Sequence, residues 1–371
     1  MIDTGSDSIP MTVISGPLGA GKTTLVNRLL SEPGDRRIAV VVNDMGEINV
    51  DAELVADEAD AGQEGVVDLS NGCICCRLQD DLVTEVTRLA EERSFDYLVV
   101  EASGISEPIP IARTLTVGPD GGEPPAGFHL DTTVSVVDAY GFWKAFDPEE
   151  SLPDAAPDPE RPLTEVLVDQ IEFCDVLLLN KCDMVPDDAL DAVAAAVRAL
   201  QPRATVHRTT YSEVDPGDVL GTGRFDFEAA KRRQGWKEAL AGSDGHEGHE
   251  HDGASAAAAH GVDSFTYRRE TPFHPGRFDD WLDDWDGTIV RAKGFAWVAS
   301  RPETVVGVSQ AGPSVRAGPI GEWGDDDPAT RLVFIGREMD KDGIVAGLDD
   351  CLVTDAERTQ TFDSDPFPRD G

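Results

Sequence analysis

Apolar positions along the chain fall into two alternating patterns. Met11–Ile14 is a short run, followed by a glycine-rich turn and by Thr23–Leu30 with apolar residues at helical spacing. Strand-like runs recur at Ile38–Val42, Tyr97–Val100, Thr132–Val137 and Val176–Leu179, with a further one at Val66–Leu69. Helical patterns lie between them at Asp80–Arg93, Leu163–Phe173 and Asp187–Leu200. Strands alternating with helices predict a parallel α/β sheet. The runs at 97–100 and 176–179 are apolar throughout, as strands covered on both faces should be.

The pattern breaks at Gly118–Gly127, rich in Gly and Pro, and at Asp147–Pro162, acidic and Pro-rich; both read as surface loops or insertions. From 242 to 261 the chain turns to Gly, His, Glu and Ala, a low-complexity linker and the natural domain boundary. Past it, Ser264–Arg269, Val290–Ala299, Thr304–Gln310 and Arg331–Ile335 read as strands, and Phe278–Trp285 and Gly343–Leu352 as helices. The expected layout is a flexible stretch 1–10, an α/β domain 11–241, the linker 242–261, a smaller α+β domain 262–354 and an acidic, frayed tail 355–371. A length of 371 residues agrees with about two domains.

Charge narrows the partners. With 31 basic and 71 acidic side chains the formal charge is 31 − 71 = −40. Such a surface repels phosphate backbones and anionic membranes, so neither nucleic acid nor membrane is expected as a partner. No apolar run reaches the ~20 residues that a membrane helix needs. The N-terminus lacks a basic, apolar signal pattern, and the expected compartment is the cytoplasm. Only seven lysines stand against many aspartates. That balance suits a halophile's salt-filled cell interior, where screening removes the self-repulsion.

Three segments carry nucleotide chemistry. Gly16-Pro17-Leu18-Gly19-Ala20-Gly21-Lys22-Thr23 fits G-x-x-x-x-G-K-[ST], with a strand before it and a helix after it. Its backbone N–H groups and the helix N-terminus can cradle phosphates. Lys22 reaches the β- and γ-phosphates, and the Thr23 hydroxyl can bind Mg²⁺. Asn180-Lys181-Cys182-Asp183 closes an apolar strand. A carboxylate at Asp183 can accept from both N1–H and the exocyclic amine of guanine, which adenine cannot supply, while Asn180 braces the loop and touches the base edge. Glu101-Ala102-Ser103-Gly104 ends another strand: Glu101 can hold Mg²⁺ through water, and the Gly104 N–H can sense a γ-phosphate.

Two segments carry metal chemistry. Cys73, Cys75 and Cys76 crowd into Asn71-Gly72-Cys73-Ile74-Cys75-Cys76, between a strand-like run and a helix. Thiolates suit Zn²⁺, Co²⁺, Cu⁺ or Ni²⁺ rather than Mg²⁺. In an extended Cys-x-Cys, residues 73 and 75 chelate one ion, and Cys76 points elsewhere or closes a third bond. At most three thiolates leave an open position, which suits transfer. The linker's His246, His249 and His251, interleaved with Glu247, Glu250 and Asp252, form a second, looser metal candidate. Cys174, Cys182 and Cys351 are isolated and read as packing residues.

The ordered set of P-loop, Asn43-Asp44-Met45-Gly46-Glu47, N-G-C-I-C-C, E-A-S-G, V-V-D-A and N-K-C-D resembles the CobW family of P-loop GTPases. Arg291–Trp297 and Val333–Arg337 resemble its C-terminal domain signatures. The resemblance implies a parallel-sheet P-loop GTPase domain followed by a smaller α+β domain, in a metallochaperone. It implies phosphate and Mg²⁺ binding by Gly16, Gly19, Ala20, Gly21, Lys22, Thr23 and Thr24. It also implies guanine binding by Asn180, Lys181 and Asp183, and binding of a cargo metal by Cys73, Cys75 and Cys76, with Glu47 in a switch as a further ligand. Catalysis would rest on Lys22, Thr23, Glu101 and Gly104.

The expected function is GTP-dependent delivery of Zn²⁺ or Co²⁺ to a client metalloprotein. GTP would order the two switch segments that flank the cysteines and favour capture; hydrolysis would favour release. Hydrolysis should be slow alone, because the sequence shows no obvious arginine finger; Arg77, next to Cys76, is the nearest candidate. Two rivals are a metal buffer with nucleotide as a structural ligand and a small-molecule kinase on the same P-loop; N-K-C-D argues against the latter.

Overall fold

A computed structural model describes residues 8–42, 66–68, 78–92, 94–119, 122–145, 163–227, 262–284, 288–312, 314–324, 327–357, 362 and 365–368. The chain divides into two compact units. One takes in Met1–Phe142, Asp169–Leu190 and Arg203–Arg233; the other takes in Trp143–Val168, Asp191–Pro202 and Gln234–Gly371.

The first unit holds a parallel sheet of β1 (Ile9–Ser15), β2 (Ile38–Val42), β3 (Val66–Asp68), β4 (Tyr97–Glu101), β5 (Phe128–Asp138), β6 (Val176–Asn180) and β7 (Thr205–Arg208). Their order is β3-β2-β4-β1-β5-β6-β7. β2, β4 and β6 are buried along their whole length, as the unbroken apolar runs predict. Alternate residues feed two core layers. Ile14, Val40, Val99, Val136 and Leu178 pack with Leu25, Val26, Leu29 and Leu30 of α1 (Lys22–Ser31). Met11, Val13, Val41, Leu98 and Val100 pack with Leu82, Val86 and Leu89 of α2 (Leu78–Glu92) and Ala112 and Leu115 of α3 (Pro108–Thr116). Among the described residues the chain runs on through α4 (Ala139–Ala145), α5 (Leu163–Glu172), α6 (Asp187–Leu200) and a short α7 (Pro216–Val219), of which Trp143–Val168 and Asp191–Pro202 count with the second unit.

Strand register sets the site. Ile14 pairs with Glu101, Ser15 with Ser135, and Asp138 with Asn180. Val42 pairs with both Glu101 and Asp68. The carboxyl ends of six adjacent strands therefore form one edge. β1 lies at the middle of the order, with β4 and β5 as neighbours; the chain after it starts there, at the switch point where open α/β sheets bind ligands.

The second unit holds an antiparallel sheet of β8 (Val262–Arg269), β9 (Ile289–Ala296), β10 (Thr304–Ala311), β11 (Ser314–Glu322) and β12 (Thr330–Arg337), in the order β11-β10-β9-β12-β8. Helices α8 (Pro275–Asp283) and α9 (Lys341–Asp350) contribute Phe278, Leu282, Ile344 and Leu348 to its core, beside Tyr267, Phe273, Val306 and Phe334. Phe273 and Phe278 stack with ring centroids 4.2 Å apart. β11 is an edge strand that the apolar pattern does not announce. Its sequence carries Pro319 and two glycines and its residues are half-buried or exposed; an edge is where a strand tolerates a missing N–H. The segment after Thr354 is not simply frayed. Phe367 is buried in the core, and Arg301 bonds Asp365 and the carbonyls of Phe367 and Pro368.

Among the described residues no helix is long and apolar enough to cross a membrane.

Candidate nucleotide site

The phosphate loop follows directly from β1. Gly16, Gly19 and Gly21 all take positive φ. At Gly21 the requirement is also steric: a Cβ would stand 2.4 Å from Asn180 Nδ2 and 2.9 Å from Ser212 Oγ. A side chain there would be strained twice over. No side chain caps α1, so its first N–H groups are left to an anion. Lys22 is buried, with Nζ donating to the Pro17 carbonyl at 3.2 Å. Thr24 lies exposed on the same first turn.

Thr23 and Glu101, 78 positions apart, meet across the edge. The Thr23 hydroxyl donates to Glu101 Oε1 at 2.9 Å, and Glu101 is buried. A hydroxyl and a buried carboxylate at a phosphate loop fit a divalent cation of the Mg²⁺ class, a hard ion that prefers oxygen ligands. Gly104 lies against the loop: a Cβ on it would sit 2.6 Å from Leu18 N.

The turn after β6 is tied to the phosphate loop. Asn180 donates from Nδ2 to the Ala20 carbonyl at 2.9 Å. Its Oδ1 accepts from Thr209 Oγ1 at 3.1 Å and Ser212 N at 2.8 Å. Ser212 Oγ donates to the Gly21 carbonyl at 3.0 Å. Asn180 is thus a brace that ties the turn after β6 to the phosphate loop. Lys181 takes φ 58°, and its ammonium bonds Asp138 Oδ2 at 2.7 Å. Asp138 Oδ1 in turn accepts from the N–H groups of Tyr140 and Gly141 at 3.0 and 3.1 Å, capping α4. Asp183 is exposed in the short 3-10 turn Cys182–Met184, free to face a ligand. Cys182 is no thiolate candidate: burial raises its thiol pKa, and Sγ donates to the Leu179 carbonyl.

The sequence reading missed Asp138, Thr209 and Ser212. Asp138 ends a strand within V-V-D-A, which is a usable signal; Thr209 and Ser212 carry none. Cys73, Cys75, Cys76, Gly46, Glu47, Arg77 and the linker histidines lie outside the described residues. Among the described residues no group of three or more His, Cys, Asp or Glu side chains is placed to hold a metal.

Residues 10–208 match the CobW/HypB/UreG nucleotide-binding domain. The chain belongs to this family. Residues 262–352 match the cobalamin synthesis protein CobW C-terminal domain, so both sheets fall within matched regions. Zinc-regulated GTPase metalloprotein activator 1 of Dictyostelium discoideum is 37% identical over 396 residues, covering 95% of this chain and 82% of its own. A protein named zinc chaperone CobW from Sinorhizobium sp is 30% identical, covering 92% and 96%. One of the same name from Pseudomonas aeruginosa is 30% identical, covering 91% and 89%.

Proposed function

We propose that this CobW-family protein is a GTP-hydrolysing metallochaperone that carries Zn²⁺ on Cys73, Cys75 and Cys76 and hands it to a client metalloprotein. Strand register is the observation that carries the reading. The switch segment that begins after Val42 and the cysteine segment that follows Asp68 both leave the sheet at the edge where Glu101 meets Thr23. A nucleotide at that edge lies on the side of the sheet from which both segments leave, so phosphate contacts and thiolate spacing can be coupled. Zinc-handling relatives favour Zn²⁺ over Co²⁺ as cargo.

Gly16, Gly19, Ala20, Gly21, Lys22, Thr23 and Thr24 bind the phosphates. To reach them Lys22 exchanges the Pro17 carbonyl for a stronger, charged acceptor. Thr23 and Glu101 would hold Mg²⁺, which would neutralise phosphate charge. Asp183 reads guanine, Lys181 is oriented by Asp138, and Asn180 locks the base-reading turn to the phosphate loop. Glu47 adds a ligand from the switch.

Metal competition against a chromophoric chelator, with GTP analogue, GDP or no nucleotide, tests the proposal. Tight Zn²⁺ binding only with the GTP analogue, lost in Cys73→Ala/Cys75→Ala/Cys76→Ala, is the expected result. Equal affinity in every nucleotide state would leave a metal-buffering protein with nucleotide as a structural ligand. Binding that survives cysteine removal would move the metal to the His-rich linker.

A further inference from the structure

Gln170 lies on α5, is fully buried, and belongs to no motif. Its Nε2 donates to the carbonyl of Gly104 at 3.4 Å and to that of Ser106 at 3.2 Å. The amide orientation is forced, because the flipped group would set an oxygen against two carbonyl oxygens. The loop at Gly104 is therefore held from two sides. On one side it touches the backbone of Leu18 in the phosphate loop. On the other it hangs on Gln170.

A glycine has no side chain to fix its own backbone. Holding the Gly104 carbonyl restricts ψ at the residue whose N–H is expected to sense the γ-phosphate. We propose that Gln170 is the positioning residue of this γ-phosphate sensor, and that it works as a latch with two settings. The motive for the second setting is a pair of unsatisfied atoms. Gln170 Oε1 and Ser106 Oγ are both buried, and neither has a hydrogen-bond partner among the described residues. One is an acceptor and the other a donor, and buried polar groups in native structures are normally paired. A shift of the 104–106 loop that pairs Ser106 Oγ with Gln170 Oε1 satisfies both. That shift moves Gly104 along the phosphate loop, and the latch assigns the paired setting to the triphosphate state.

The inference rests on the reading that Gly104 senses the γ-phosphate. Fluorescent GDP and a non-hydrolysable GTP analogue, titrated into the full chain, separate the two. Gln170→Leu and Ser106→Ala should bind GDP within about two-fold of wild type. The GTP analogue should bind about ten-fold more weakly to Gln170→Leu, a change of about 1.4 kcal/mol, and several-fold more weakly to Ser106→Ala. GTP turnover should fall in the same order. Gln170→Glu, of the same shape but without the amide donor, should behave like Gln170→Leu. Equal weakening of both nucleotides, or no change in either, would overturn the latch. So would loss of GDP binding in both Gln170 variants, which would make the side chain a prop of the fold. Wild-type protein that binds both nucleotides alike and releases no phosphate would instead remove the sensor itself, and the latch with it.

Discussion

The two ends of the parallel sheet carry buried polar groups of opposite character. At the amino end Tyr97 Oη meets Thr12 Oγ1 at 2.8 Å, accepts from Gly221 N at 2.7 Å and donates to Asp131 Oδ2 at 3.3 Å. Asp131 also accepts from Thr132 Oγ1 and Gly223 N, and Thr12 donates to the Val219 carbonyl. The network closes on itself and fastens the 219–223 segment to the sheet. At the carboxyl end, apart from the Asn180–Ser212 brace, the contacts are provisional. Lys22 rests on a loop carbonyl, Thr23 on Glu101, α1 has no capping side chain, and Asp183 faces solvent. A complete network holds a fold together, whereas groups resting on exchangeable partners await a ligand.

The comparison breaks most visibly at Glu101. Glu101→Ala removes the carboxylate beside Thr23, and GTP turnover should fall about 100-fold or more, with thermal melting of the nucleotide-free protein little changed. A phosphate-release assay and a melting curve check both halves. Asp131→Ala should do the reverse. It leaves Tyr97, Thr132 and Gly223 without their common acceptor, a loss of about 3 kcal/mol. Denaturant unfolding should register that loss, while GDP affinity stays within about two-fold. A variant at either end that moved both readouts equally would show that the two networks are not separate.

What the sequence revealed follows the same division. The parallel sheet, the phosphate loop and N-K-C-D were legible because each is local: an apolar run of four or five residues, or fixed residue types at fixed spacing. The bonds that unite them were not. Thr12 and Val219 are 207 positions apart, and Asn180 and Ala20 are 160 apart; nothing along the chain pairs them. Gln170 looked like any polar residue on an amphipathic helix. β11 was hidden because an edge strand need not alternate, and β7 because it is half-exposed. Glu101 and Thr23 were each legible, and only the register showed that they touch.

The closed end also predicts an alkaline limit. Burial, first of all, raises the Tyr97 hydroxyl from 10.0 to about 12. A phenol whose folded pKa lies above its unfolded value stabilises the fold fully below pH 10, and that contribution is lost as pH rises from 10 towards 12. The amount is about 2.7 kcal/mol for two pH units. Tyr97→Phe should flatten that segment of the stability profile, and unfolding free energies measured at pH 9, 10 and 11 in both proteins give the answer.

The smallest expected effect lies at the open end, at Asp138. Its partner Lys181 is a third exposed and Asp138 about a quarter, so solvent screens the pair and its direct contribution is only about 0.5–1 kcal/mol. Asp138 has a second task in capping α4, where loss of the side chain costs about 1 kcal/mol. Asp138→Ala removes both, whereas Asp138→Asn keeps a capping oxygen and loses the charge. If Lys181 is oriented for the nucleotide, Asp138→Asn should weaken GTP binding by about three- to five-fold with melting unchanged, and Asp138→Ala should add the loss in melting temperature. Equal nucleotide affinity in Asp138→Asn and wild type would reduce the Lys181–Asp138 pair to a surface ion pair and leave base recognition to Asp183 and its braced turn.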